Sequence, residues 1–321
     1  MDSDNRLSSE SPDIKVNDLW FDDGNVIVQA EGTQFRVHRS ILAARSTFFA
    51  DLFCLPQPPS ASTLDDLPVV ELHDKASEVA YFLRAIFDSG FFENPVGSKT
   101  KLPIRQIVAV LRLAHKYDVP YLRRRALLHA STIYPRSFEG ARATVGIPPC
   151  VHFALADVAM EVGAQWLLVV ALECCTRMGP ECILDGHISP KYDNMHFQLS
   201  DLAREKCLRA VRDMDQQANQ RIVDMFLTPV ATCTSRAACM IKRNSIAIAL
   251  LRKQQAIFVH HMPQARWDDL ERVLCDDCFL HVQQADLSWG SAYWAGMPER
   301  FGLPPWSELH ARRKEDLGLD S

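Results

Sequence analysis

Apolar side chains at Val26, Val28, Ala30, Phe35 and Val37 alternate with polar ones. A period of two is that of half-buried strands, and Glu31-Gly32-Thr33 supplies a tight turn between them. After His38 the period changes. Ile41, Leu42 and Arg45 share a helical face, and Ser46 stands where it caps a second short helix presenting Phe48, Phe49, Leu52 and Phe53. The stretch 56–68, PQPPSASTLDDLP, reads as a loop because its prolines remove backbone donors. A short strand is predicted over 69–72. Val79, Phe82, Leu83, Ile86 and Phe87 then recur at helical spacing, with Asp74 as the expected cap. Pro103 opens a further helix whose apolar face is Ile104, Ile107, Val108, Leu111, Ala114 and Tyr117. Asp118-Val119-Pro120 ends it, since a residue before proline avoids the helical region, and another helix runs over about 121–133.

Pro135 and the segment GARATVGIPP at 140–149 mark a domain boundary. Beyond it, helical periodicity recurs over 151–162, 165–177, 199–217, 236–255 and 268–282, and no alternating strand stands out. Residues 1–17 are small, charged and poor in aromatics, the composition of a disordered terminus. The expected organisation is therefore a mixed domain over 18–135 and an all-α domain over 150–310.

Three blocks in the first domain occur in a telling order. They are Phe35-Arg36-Val37-His38-Arg39-Ser40-Ile41-Leu42 with Ala44-Arg45-Ser46-x-Phe48-Phe49-x-x-x-Phe53, then Val69-Val70-Glu71-Leu72-His73-Asp74, then Leu113 to Leu122, LAHKYDVPYL. In these blocks the chain resembles the BTB/POZ family. The resemblance implies an α+β N-terminal BTB/POZ domain followed by the all-α C-terminal domain, with protein binding, homodimerisation or scaffolding as its role and no catalysis. Phe48 and Phe49 are its expected partner-binding residues. Some BTB proteins recruit a cullin-type ubiquitin ligase scaffold through a hydrophobic–x–Glu motif. The nearest counterpart here is Leu64-Asp65-Asp66, which ends in Asp. The whole chain also resembles BTB proteins of basidiomycete fungi, at LWFDDGN (19–25) and FGLPPWSEL (301–309).

Composition narrows the classes. The 321 residues can bury a large core, and 35 Lys+Arg against 40 Asp+Glu give a net charge of −5, so no overall basic field favours nucleic acid. No apolar run approaches the 18 residues of a membrane span, and MDSDNRLSSESPD lacks the apolar region of a signal peptide. Ten cysteines without a secretion signal point to reduced thiols in an intracellular setting, cytoplasm or nucleus. Phosphate loops, nucleophile elbows and H-E-x-x-H are absent from the sequence.

Four of the cysteines have metal-ligand character. Cys275 and Cys278 form C-x-x-C, and Cys233 and Cys239 lie in TCTSRAAC. Four thiolates close a tetrahedral zinc site, and helical geometry puts i and i+3 on one side. The competing reading makes them small buried hydrophobes, as expected for Cys174, Cys175, Cys182 and Cys207. His38 is expected to fix the strand-to-helix junction through a backbone hydrogen bond, and His115 to pack near Tyr117. His260-His261 is expected to end a helix. Arg123-Arg124-Arg125 and Arg312-Arg313-Lys314 read as solvated faces, and Trp289, Tyr293, Trp294, Phe301 and Trp306 as the cap of the helical core. An enzyme in the second half would need converging polar groups, and only scattered carboxylates such as Glu161, Asp201 and Asp268 stand out.

Overall fold

The hairpin read around Glu31-Gly32 is the middle of a five-stranded sheet in the computed structural model of the chain, which describes residues 14–56, 63–93, 102–134, 147–252 and 264–319. Strands β2 (Val26–Ala30) and β3 (Thr33–Val37) pair antiparallel from Val26↔Val37 to Ala30↔Thr33. Glu31 and Gly32 take φ of 47° and 73°, the left-handed pair that this two-residue turn requires. β1 (Ile14–Trp20) runs parallel to β3 and β5 (Leu67–Glu71) parallel to β2, while β4 (Thr63–Leu64) pairs antiparallel with β5. Val26, Ile27 and Val28 are all fully buried, because a central strand is covered on both faces where alternation predicts one wet face.

Two boundaries differ from the sequence reading. Residues 14–17, expected in a disordered tail, belong to β1, where the Ile14 N–H reaches the Gly32 carbonyl at 3.1 Å. A sheet edge supplies partners that a polar composition does not announce. Residues 1–13 lie outside the described residues. The end of the expected loop at 56–68 is a hairpin instead, with Asp65 and Asp66 at its turn in left-handed conformation (φ 51° and 62°).

Around the sheet pack α1 (Arg39–Arg45), α2 (Thr47–Cys54), α3 (Ala76–Phe87), α4 (Ile104–Lys116) and α5 (Pro120–Ser131). Ser46 caps α2 as expected, accepting the Phe49 N–H at 3.1 Å, and its hydroxyl donates to the Tyr117 carbonyl at 2.5 Å. Asp74 does not cap α3. The Ala76 N–H is donated to the Glu31 carboxylate at 2.8 Å, because the β2–β3 turn brings that acid to the helix start. Asp74 accepts instead from the Lys116 ammonium, at 2.6 Å, and from the Tyr117 hydroxyl.

The chain divides into compact units at His129/Ala130, ahead of the boundary read at 135. The second unit is helical: α6 (Pro149–Glu161), α7 (Gln165–Thr176), α8 (Pro180–Asp185), α9 (Asp201–Ile222), α10 (Arg236–Arg252), α11 (Gln264–Val273), α12 (Asp276–Ala295), α13 (Met297–Arg300) and α14 (Trp306–Leu317), the last extending past residue 310. α7 is apolar nearly all round and accordingly buried along its length. A wider helical turn, Val223–Leu227, continues α9.

Two features depart from the periodicity. Strands β6 (His187–Ser189) and β7 (Met195–Phe197) form a small hairpin around Asp193 and Asn194, and three-residue strands are too short for alternation to register. The helix expected over 268–282 is two helices. It breaks at Cys275, which is extended (φ −71°, ψ 161°) and stands at the start of α12. In the tail, Trp289, Tyr293 and Phe301 are buried, and Trp306 stacks on Trp294 with ring centroids 4.9 Å apart. Among the described residues no helix is long and apolar enough to cross a membrane.

Candidate metal centre and interaction surface

One core of the helical unit is built from Ile222, Met225 and Phe226, Ile246 and Leu250 of α10, Leu270 and Leu274, and Val282 of α12. The chain between the α9 extension and α10 crosses this core as a loop carrying Cys233. Arg243, buried on α10, anchors that loop by donating to the Met225 and Thr228 carbonyls at 3.3 and 2.5 Å. Cys239 lies in the first turn of α10, Cys275 at the position just before α12, and Cys278 in the first turn of α12. The loop and the two helix starts therefore converge.

Cys233, Cys239, Cys275 and Cys278 meet there, with all four sulfurs within 4.8 Å of one another. The Cys233 and Cys275 sulfurs are 3.7 Å apart. Zinc–thiolate bonds of about 2.3 Å place the sulfurs of a tetrahedral site about 3.8 Å apart. The set fits a metal ion in donor type, number and spacing. All four thiols are free, and 3.7 Å is well beyond the bonding distance of a disulfide.

The backbone is already turned toward these sulfurs. The Cys275 N–H points at the Cys239 sulfur at 3.4 Å. The Cys278 N–H, directed at the Cys275 sulfur, is the largest influence on that thiol and draws its pKa down to about 6; burial opposes this, and Thr234 adds to it. Burial pushes the Cys239 and Cys278 thiols up. A cation among the four sulfurs would favour the thiolate form of all of them.

The remaining cysteines of the unit are different in kind. Cys174, Cys175 and Cys207 are fully buried, Cys174 accepting from Arg177 at 3.0 Å, and burial pushes Cys174 to about 12 and Cys207 to about 11. They are core residues, as the sequence predicted; Cys182 is half-buried. Thr234 and Arg243 were not singled out in the sequence. The available signal was a cation at 243, four residues after Cys239 on the buried face of α10.

In the first unit the two expected contact phenylalanines separate. Phe49 is fully buried against Tyr117 and Phe53, so it serves the core. Phe48 is 42% exposed, with its ring edge-on to Phe49 at 5.3 Å. Leu64 ends β4, half-buried, and Asp66 is an exposed turn residue. His38 does not anchor the junction through a backbone bond. Its ring packs on Phe21 and Phe87, and its Nε2 lies 3.4 Å from Asp23. His115 is exposed rather than packed, because its position on α4 faces away from the core. His260 and His261 lie outside the described residues.

Glu161, Asp201 and Asp268 are exposed. Buried polar groups do gather elsewhere. Glu173 lies 3.3 Å from Arg177 and accepts from the Tyr293 hydroxyl at 3.5 Å. His152 Nδ1 is 2.8 Å from the Tyr134 hydroxyl, and burial lowers the His152 pKa to about 4. These groups bind one another inside the core.

Residues 21–131 match the family model of the BTB/POZ domain. The N-terminal part of the chain thus carries a BTB/POZ domain, a non-enzymatic protein–protein interaction module. Curated relatives include the BTB/POZ domain and ankyrin repeat-containing proteins NOOT1 of Medicago truncatula and COCH of Pisum sativum. Each is 44% identical over 59 residues, covering 18% of this chain and 12% of the relative. NOOT2 of Medicago truncatula is 46% identical over 54 residues, covering 17% and 11%. The chain thus spans only about an eighth of the length of the relatives it matches. No solved structure matches the chain significantly.

Proposed function

We propose that this protein is a non-enzymatic interaction protein in which a BTB/POZ unit binds protein, in the first place a second copy of itself, and a helical unit is organised by a structural zinc ion. The observation that carries the interaction reading is the BTB/POZ match over residues 21–131. The exposed Phe48 ring supports it, since an aromatic held rigidly at a surface suits a protein contact. Isologous pairing is the commonest oligomeric form. Light scattering coupled to size exclusion tests it: a dimer at tens of micromolar is expected, and a strict monomer removes the self-association.

The zinc reading rests on the four converging sulfurs. Cys233, Cys239, Cys275 and Cys278 would hold the ion. Four protein ligands leave no open position for water, so the ion's contribution is folding energy rather than chemistry. The free state of all ten cysteines supports a reducing compartment, cytoplasm or nucleus. The blocks at 19–25 and 301–309 support a basidiomycete origin.

Cullin recruitment is the lesser reading. Asp66 carries its carboxylate one methylene short of Glu and sits in a tight turn, with Leu64 at the preceding strand end. Calorimetry against a fungal cullin scaffold decides it, and an absence of binding heat retires the adaptor role.

A further inference from the structure

We propose that the helical unit contains a second site, an aromatic cavity that binds a small planar organic anion such as an aromatic carboxylate. The cavity, about 220 Å³, lies between α7 and α14 beside Tyr134. Leu167 and Val170 give it apolar walls, and Trp166, Trp306 and Tyr134 line it with rings.

The polar atoms of those rings are spent elsewhere. Trp166 Nε1 donates to Asp316 at 2.7 Å, and Trp306 Nε1 to the Trp294 carbonyl at 2.6 Å. The Tyr134 hydroxyl is paired with His152 at 2.8 Å. Beside the Ser131 side chain, an occupant therefore meets mainly ring faces and aliphatic groups, which select a flat apolar body.

The permanently charged side chains that line the cavity, Arg313 and Lys314, are both cationic. Arg313 lies 5.4 Å over the Trp166 ring, and Lys314 and His310 complete the lining on α14. Lys314 is exposed, and no carboxylate among the described residues forms an ion pair with it. Asp316 on the same helix is engaged by the Trp166 indole. Apolar walls under a cationic rim suit an anion with an apolar body.

Size sets the class further. An apolar cavity of about 150 Å³ admits benzene. At about 220 Å³ this one takes a single ring or two fused rings, with the carboxylate turned to Lys314. The site involves no cysteine of the candidate metal centre, so it stands or falls independently of that centre.

Full-length protein titrated with 2-naphthoate and with neutral 2-naphthamide, by calorimetry and melting temperature, tests the proposal. Naphthoate is expected to bind saturably with a Kd on the order of 100 micromolar and to raise the melting temperature. Naphthamide should bind at least about fivefold more weakly. Lys314→Glu, at an exposed position, should weaken naphthoate about fivefold to tenfold and leave naphthamide unchanged. Val170→Phe, which fills the cavity, should abolish binding of both. No saturable naphthoate binding at millimolar concentration overturns the proposal, as does equal affinity for the two probes or unchanged binding in folded Val170→Phe. Should Val170→Phe not fold, Lys314→Glu decides alone, and an unchanged naphthoate affinity overturns it.

Discussion

Cys174, Cys175 and Cys207 share a helical unit with Cys233, Cys239, Cys275 and Cys278, yet only the second group could serve as ligands. The first group lies deep on α7 and α9, and burial holds those thiols protonated. Neighbours in sequence such as Cys174 and Cys175 point to different sides of one helix and cannot close around an ion. The second group comes from a loop and the starts of two helices, where backbone N–H groups face the sulfurs and stabilise negative charge. Cys239 and Cys278 are as buried as Cys174, so it is convergence from separate elements, not exposure, that sets the second group apart as candidate ligands.

The largest effect should come from Cys278→Ser. Zinc binding to small thiolate sites is worth about 10–16 kcal/mol at neutral pH, so losing one of four ligands should abolish stoichiometric metal. Hydrogen exchange should then show the segments around 222–250 and 270–282 opening, while α7 stays protected. Retained metal with unchanged protection would dissolve the contrast between the two groups.

Asp286→Ala should cost about 3–5 kcal/mol in urea denaturation, because it takes the carboxylate away from the buried Arg221 guanidinium, whose Nε lies 3.0 Å from it. Metal content should not change, which separates loss of a core ion pair from loss of the centre.

Acid should act on the α7 side through His152. Its pKa in the fold is about 4, below the ordinary 6.5, so the neutral ring is the folded form. The stability it contributes is complete above pH 6.5 and is lost as pH falls from there through 4, about 3 kcal/mol in all. His152→Gln should flatten that limb of a pH–stability curve; an equally steep limb in the variant assigns it to other groups. The smallest effect belongs to Cys175→Ala, about 1 kcal/mol from the vacated volume, with metal content untouched.

Much of the fold is legible in the sequence. The change from period two to helical spacing after His38, and the Ser46 cap, follow from local chemistry and recur in the structure. The break at Cys275 was not legible, because Asp268 to Val282 carries unbroken periodicity while the chain must turn to bring that sulfur to Cys233. The β6–β7 hairpin hid for want of length, although Asp193-Asn194 is a turn signal. Residues 14–17 looked disordered because a strand's partners lie outside its own sequence. At the candidate metal centre the four cysteines that converge were readable from Cys-x-x-Cys and the pair before it. The anchoring by Arg243 was not, since a buried cation is recognised only once the carbonyls it meets are in place.

Whether Cys233, Cys239, Cys275 and Cys278 hold one metal ion is decided by metal analysis of the natively purified full-length protein alongside Cys278→Ser. About one zinc per chain is expected in the parent, and none in the variant. A parent without near-stoichiometric zinc, or a variant that keeps it, rules the centre out.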